Sequence, residues 1–426
     1  MTMFKVPLIF KNEQFLRIWG NQLLLQVAFN MCNYTALLII ADRTHSVFAQ
    51  AQFYAALTLP AFLVSLVAGP VVDMVDRRKV MIISNLFMAV LFLMYVFTDG
   101  RLALIMLIAF LTASCARFFI PAEAATIPMV VKKEILDHAN AFFLFTLMGS
   151  VLIGYSIAGP IIQFFGGLGT NGELVPFFLG SGLLVMSLLI IYGFKSVGAL
   201  NPRARGSNFF KKIFYLLWQT FGEIRGNKKI SIPILLLVFI ELNVGILSVT
   251  LLEYVSRYLR LPLTSVSVVL IIPLIAGLII GILFLSRIEK KYGHRLSIFL
   301  ACIGIGLLFC FLGVLPIFGG GQFWIFAIRA FAVVIAFIFG ILAVVIAVQS
   351  RTILQINARI EMQGRVFSLL DILIALAIPI PVLFLGFFAD KISILAMLIF
   401  TGIVILIATA VGNKIVFGSI SKKGSY

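Results

Sequence analysis

Apolar residues along this chain fall into twelve runs. They lie near 14–41, 48–73, 79–98, 102–127, 138–166 and 173–194, then near 231–258, 263–286, 295–317, 322–350, 364–389 and 392–413. A helix rises about 1.5 Å per residue, so roughly 20 apolar residues suffice to cross the ~30 Å hydrocarbon core of a bilayer. The pattern therefore predicts an all-α membrane protein with twelve transmembrane helices in two pseudo-symmetric six-helix bundles. Residues 1–194 form the first bundle, 195–230 a linker, and 231–426 the second bundle.

The polar segments between the runs are short, and several carry turn chemistry, such as Thr98-Asp-Gly100 and the Gly-rich stretches at 166–172 and 318–321. Within the linker, Phe210, Ile213, Phe214, Leu217, Phe221 and Ile224 share one helical face, while Lys211, Lys212, Gln219 and Glu223 fall elsewhere. This predicts an amphipathic helix lying in the cytoplasmic interface, tethered by basic flanks.

Composition agrees with lipid as solvent. The chain is 62% hydrophobic and 12% charged, against about 25% charged in soluble domains. The net charge of +17 raises nucleic acid as a partner, but there is no soluble basic module to hold one. The basic residues instead sort by loop. Placing the N-terminus inside puts Arg43, Arg101, Arg257, Arg260 and Lys391 outside and Arg117 and Arg329 within spans, leaving 26 of 33 Lys and Arg in the cytoplasm. That bias predicts a multi-pass protein of the plasma (inner) membrane with both termini cytoplasmic.

Candidate chemistry is sparse. Cys32, Cys115, Cys302 and Cys310 form no CxxC, and His45, His138 and His294 are far apart, so neither metal nor cofactor is expected. Between Lys5 and Lys11 stand only five residues, too short for a signal-peptide core. There is no GxxxxGK[ST] loop, no HExxH and no GxSxG. A secondary transporter and an integral-membrane enzyme remain as the two classes. Two six-span halves favour the transporter, because such repeats enclose a site near the midplane.

Between spans two and three, Gly69-Pro-Val-Val-Asp73-Met-Val-Asp76-Arg77-Arg78-Lys79 resembles the loop signature of the major facilitator superfamily, with Met74 where Arg is usual and Asp76 where Gly is usual. The stretch Arg117-Phe-Phe-Ile-Pro121 through Pro128, followed by Ala139-Asn140-Ala141, resembles the branch with macrolide-efflux proteins and the enterobactin exporter. So do Gln349-Ser-Arg351-Thr-Ile-Leu354-Gln355 and Gly364-Arg365-Val-Phe-Ser368. In span five, Gly149, Gly154 and Gly159-Pro160 resemble the glycine motif of antiporters, although Gln163 and Phe164 replace its closing glycines.

The resemblance implies alternating access and roles for particular residues. It places Gly69, Asp73, Arg77, Arg78, Glu123, Gly364 and Arg365 at a cytoplasmic gate, where Asp73 meets the start of span eleven and the basic cluster pairs with Glu123. It implies that span one lines the cavity. There Gln22, Gln26, Asn30 and Asn33 lie within an arc of about 80°, readable either as interhelical hydrogen bonding or as a cavity wall. Charges inside spans are costly and usually functional. At ~1.5 Å per residue, Arg117, Glu241 and Asp371 sit roughly 11–15 Å from the cytoplasmic ends, and Arg329 nearer the outside, where it joins the substrate cavity. Glu241 is the first candidate for proton coupling and Asp371 the second, with Arg117 as the switch. A carboxylate that meets an arginine in one conformation and loses it in the other binds and releases a proton. Glu253 and Arg257, four apart, read as a solvated surface pair.

These readings predict a monomeric, proton-coupled exporter of amphipathic small molecules. The same fold also accommodates an importer or a lysophospholipid translocator.

Overall fold

The computed structural model describes residues 12–132, 136–169, 171–195, 221–222, 224–318, 321–358 and 360–417. Most of the expected interfacial helix over 210–224 lies outside the described residues.

The chain divides into two compact units. The first comprises Met1–Thr44 and Gln52–Phe209; the second comprises His45–Ala51 and Phe210–Tyr426. In the first unit the helices are α1 (Glu13–Thr44), α2 (Val47–Leu63), α3 (Ser65–Met74), α4 (Arg77–Val96), α5 (Leu102–Val130), α6 (Leu136–Gly167) and α7 (Val175–Tyr192). The first turn of α2 clusters with the second unit and the rest with the first. The second unit contains α8 (Lys228–Tyr254), α9 (Ile272–Val314), α10 (Gln322–Asn357), α11 (Ile360–Ala377), α12 (Pro379–Lys391) and α13 (Ile394–Phe417).

The helices do not map one to one on the twelve apolar runs, and the exceptions have local causes. The run at 48–73 is divided at Val64 into α2 and α3, although Val64 keeps right-handed helical dihedrals and Val64 N still bonds the Pro60 carbonyl at 2.9 Å. The run at 364–389 is split before Pro379, which starts α12 because proline is tolerated at a first helical position. Two runs are merged instead. Helix α9 has 43 residues, yet Gly293 within it adopts φ 70° and ψ 165°, a conformation that only glycine enters readily. Arg287, Lys290, Lys291 and Arg295 surround this break. Two spans therefore meet there in a basic turn.

In the first unit α1 packs on α6 and α7, and α4 packs between α5 and α7. In the second, α9 packs on α10 and α13, and α8 lies against α10, α11 and α12. Large apolar side chains such as Leu189, Phe97, Leu283 and Phe326 are exposed on the helices, as lipid-facing surfaces require. Lipid removes most of the hydrophobic drive for helix association, so close packing and polar contacts must hold the spans together. Both occur at α1. A Cβ added to Gly154 of α6 would lie 2.7 Å from Asn30 Cβ and 2.9 Å from Met31 N, so only glycine permits this approach. Across α1, α4 and α7, buried Asn85 donates to Asn21 Oδ1 at 2.7 Å and to Ser187 Oγ at 2.5 Å.

Candidate functional site

An apolar seam in the second unit sets the position of three charges. Ile230, Ile234 and Leu237 of α8, Leu354 of α10, and Val366, Leu369 and Leu370 of α11 form one buried cluster, joined by Ile224 and Ala358. Glu241 continues the α8 series one turn beyond Leu237. Arg351 lies one turn before Leu354 on α10, and Asp371 follows Leu370 on α11. The seam thus fixes the helices from which all three charged residues project.

Glu241 experiences attraction from the Arg351 guanidinium and repulsion from the Asp371 carboxylate. Among the described residues it forms neither a hydrogen bond nor an ion pair. All three side chains are exposed. Arg351 and Asp371 are thus both close enough to Glu241 for their charges to act on it. The sequence reading placed Arg351 in a cytoplasmic loop and did not include it. Helix α10 extends to Asn357, which brings Arg351 into the helical seam.

Arg117, the expected switch, is on α5 of the first unit and half-buried. Gln22, Gln26, Asn30 and Asn33 are all buried. Gln22 Nε2 donates to the Phe143 carbonyl on α6 at 3.4 Å, Asn30 and Asn33 donate to carbonyls one turn back on α1, and Tyr95 OH donates to Asn33 Oδ1. Gly159 is buried and Pro160 exposed on α6. Arg329 donates from Nε to the Leu259 carbonyl at 2.9 Å and from an amino group to the Arg260 carbonyl at 3.1 Å. These bonds satisfy carbonyls at the end of the π-helical turn Val255–Leu259. Glu253 and Arg257 do pair, but Glu253 is only 1% exposed, so the pair is not the solvated one expected.

At the gate sequence, Asp76 departs from the family pattern for a local reason: it is the N-cap of α4, its carboxylate accepting from Arg78 N at 2.9 Å. Arg77 is 1% exposed and donates to the Ala125 carbonyl and to Met129 Sδ, each at 2.8 Å. Glu123 is 4% exposed and one of its carboxylate oxygens has no hydrogen-bond partner. The expected ion pair between the basic cluster and Glu123 is not formed among the described residues. Arg78 instead bonds the Tyr192 carbonyl and stacks over the Tyr192 ring. Of Gly69, Asp73, Gly364 and Arg365 only the helical backbone is described.

A match to the Major Facilitator Superfamily spans residues 18–380. The chain belongs to this superfamily. It is 25% identical over 346 residues to the uncharacterized MFS-type transporter YkuC of Bacillus subtilis (strain 168), covering 76% of this chain and 75% of that one. It is 22% identical over 408 residues to macrolide efflux protein A of Streptococcus pyogenes, covering 92% and 93%. Among solved structures, a POT family transporter in complex with a thioalcohol-conjugated peptide superimposes with a TM-score of 0.71 at 12% identity, over 96% of each chain. That last likeness concerns the fold alone. As a superfamily member the protein is a multi-pass membrane transporter of small molecules. The twelve-span, two-bundle architecture read from the sequence is the superfamily's own.

Proposed function

We propose that this transporter is a proton-coupled exporter of amphipathic small molecules, and that Glu241, Asp371 and Arg351 form its coupling site. The reading is supported by charges of both signs acting on one carboxylate in the seam: Arg351 attracts Glu241 while Asp371 repels it. Such a group can hold one proton more or less without leaving a large net charge in the membrane. Any conformational change that moves α8 relative to α10 or α11 alters the balance, and with it the proton's affinity. Export is the direction supported by the relation to macrolide efflux protein A. The 42 Phe residues suit a cavity for greasy, weakly polar ligands. The charge bias of the loops supports the plasma membrane with cytoplasmic termini. The protein works as a monomer, one bundle over 1–194 and the other over 231–426. Asp73, Arg77 and Glu123 remain the candidate cytoplasmic gate without an Arg77–Glu123 ion pair in this state, span one remains the candidate cavity wall, and Arg351 takes the switch role first given to Arg117.

The test uses purified protein in liposomes with a labelled macrolide and an imposed pH gradient. Uphill movement of the unmodified compound, abolished by a protonophore, is expected. Glu241→Gln should lose uphill transport while retaining downhill exchange. Uphill transport by Glu241→Gln at the wild-type rate and with wild-type pH dependence would remove Glu241 from the mechanism. Macrolide movement that survives the protonophore would remove the proton.

A further inference from the structure

Helix α9 breaks at Gly293, between the apolar runs near 263–286 and 295–317. Each run is long enough to cross a bilayer, so the break lies at the depth of the lipid headgroups. Gly293 is exposed, and no other part of the chain comes within 4 Å of where its Cβ would stand. The turn therefore opens outward. It is fixed from beneath, where Ser297 Oγ lies 2.7 Å from the Gly293 carbonyl and 2.9 Å from Oε1 of buried Gln349 on α10.

The charges on this turn are nearly all of one sign. Arg287, Lys290, Lys291 and Arg295 stand against a single acid, Glu289. That acid is occupied, since His294 Nε2 lies 3.1 Å from Glu289 Oε1. Arg287 and Lys291 rest on aromatic faces. The guanidinium is 5.1 Å from the Phe284 ring centre and the ammonium 5.0 Å from that of Tyr292. Such contacts keep the stems in the apolar zone and leave N–H donors for an anion. Beside the charges the exposed side chains are apolar, Ile282, Leu283 and Phe284 before the turn and Leu296 and Leu300 after it. A cationic head above an apolar skirt matches a molecule that is anionic at one end and apolar at the other.

We propose that the Gly293 turn is a docking site for one anionic phospholipid. Arg287, Lys290 and Lys291 hold its phosphate, and its acyl chains lie along Leu283 and Leu296. The apolar skirt decides between a lipid and a free phosphate, because a soluble anion gains nothing from it. Bound there, the lipid ties the ends of two spans to the leaflet and stabilises the folded protein that binds it. The site lies wholly within the second unit and depends neither on proton coupling nor on the direction of transport. Basic residues also occur in the other loops on this side, so a site must be told apart from a general attraction of the leaflet for positive charge.

Thermal unfolding and native mass spectrometry of the full-length protein in neutral detergent, titrated with phosphatidylglycerol, test this. Phosphatidylcholine with the same chains and soluble glycerol phosphate are the comparison probes. Phosphatidylglycerol should raise the unfolding temperature and remain as one retained lipid, and neither comparison probe should do so. Lys290→Gln combined with Lys291→Gln should weaken its apparent affinity about 25-fold, roughly 5-fold for each charge. Glu289→Gln, which removes the one acid, should strengthen it by up to about 5-fold. Lys228→Gln combined with Lys229→Gln removes the same charge at the start of α8 and should change the affinity by less than about 2-fold. Equal weakening by the two lysine pairs overturns the site, since the lipid would then answer only to total charge. No response to phosphatidylglycerol overturns it too. So does equal stabilisation by phosphatidylcholine, which removes the role of the charge, or by glycerol phosphate, which removes that of the chains.

Discussion

Asn85 and Asn21 meet side chain to side chain at 2.7 Å in the first unit, and both are fully buried. Ser187 closes the triangle by donating to the same Asn21 oxygen at 2.5 Å. Where the surroundings are hydrocarbon, such bonds give α1, α4 and α7 a fixed register that apolar packing would leave loose. Asn85→Ala removes two of the three contacts. It should lower stability by about 1 kcal/mol, near the mean for polar contacts between membrane helices, or roughly 2–4 °C in thermal unfolding for a unit of this size. Combined with Ser187→Ala the loss should fall short of additive, because the two share Asn21. Additive losses would show that the triangle does not act as one network.

Gly154 and Gly149 lie on the same helix yet should respond oppositely to alanine. A Cβ at Gly154 meets Asn30 and the Met31 backbone inside 3 Å, whereas one at Gly149 meets nothing within 4 Å. Gly154→Ala should cost about 1–3 kcal/mol through the forced separation of α1 and α6. Gly149→Ala should be neutral or stabilising by up to about 1 kcal/mol, the gain in helix propensity. Thermal unfolding of the two variants side by side decides it, and equal losses would contradict the packing seen at α1.

The sequence made some of this legible and hid the rest for identifiable reasons. The number of spans follows from hydropathy, because a bilayer accepts few alternatives. The break at Gly293 depends on a single residue, which a hydropathy window averages over. Arg351 was missed because charge was used to end the tenth span, although α10 continues through Gln349-Ser-Arg351-Thr-Ile-Leu354 to Asn357. Asn21 was missed because it falls off the polar arc of Gln22, Gln26, Asn30 and Asn33. Asn85 and Ser187 were missed because an isolated polar residue in an apolar run has no partner until the helices are placed. By contrast, Glu241 and Asp371 stand out in the sequence as candidates, since a carboxylate in a span requires a reason.

The last prediction concerns the sign of the couplings in the Glu241, Asp371 and Arg351 group. Opposite charges stabilise each other and like charges do the reverse, so the three pairs cannot all be favourable. The Arg351–Glu241 coupling should be stabilising, and the Glu241–Asp371 coupling destabilising, each by about 1 kcal/mol for exposed groups. Three double-mutant cycles built from Glu241→Gln, Asp371→Asn and Arg351→Gln measure this through thermal unfolding in nanodiscs. At neutral pH, Arg351→Gln should be harmful, because it removes the attraction on Glu241 and leaves the repulsion from Asp371. Adding Asp371→Asn to it should recover part of the loss, since one acid then remains with nothing to repel it. Transport supplies the second readout: Asp371→Asn should slow uphill movement and Glu241→Gln abolish it, whereas Arg351→Lys, which keeps the charge, should preserve coupling at reduced rate. A Glu241–Asp371 coupling that is stabilising would mean that the two acids already share a proton in this state, and the switch would then be the loss of that proton rather than a change of partner at Arg351.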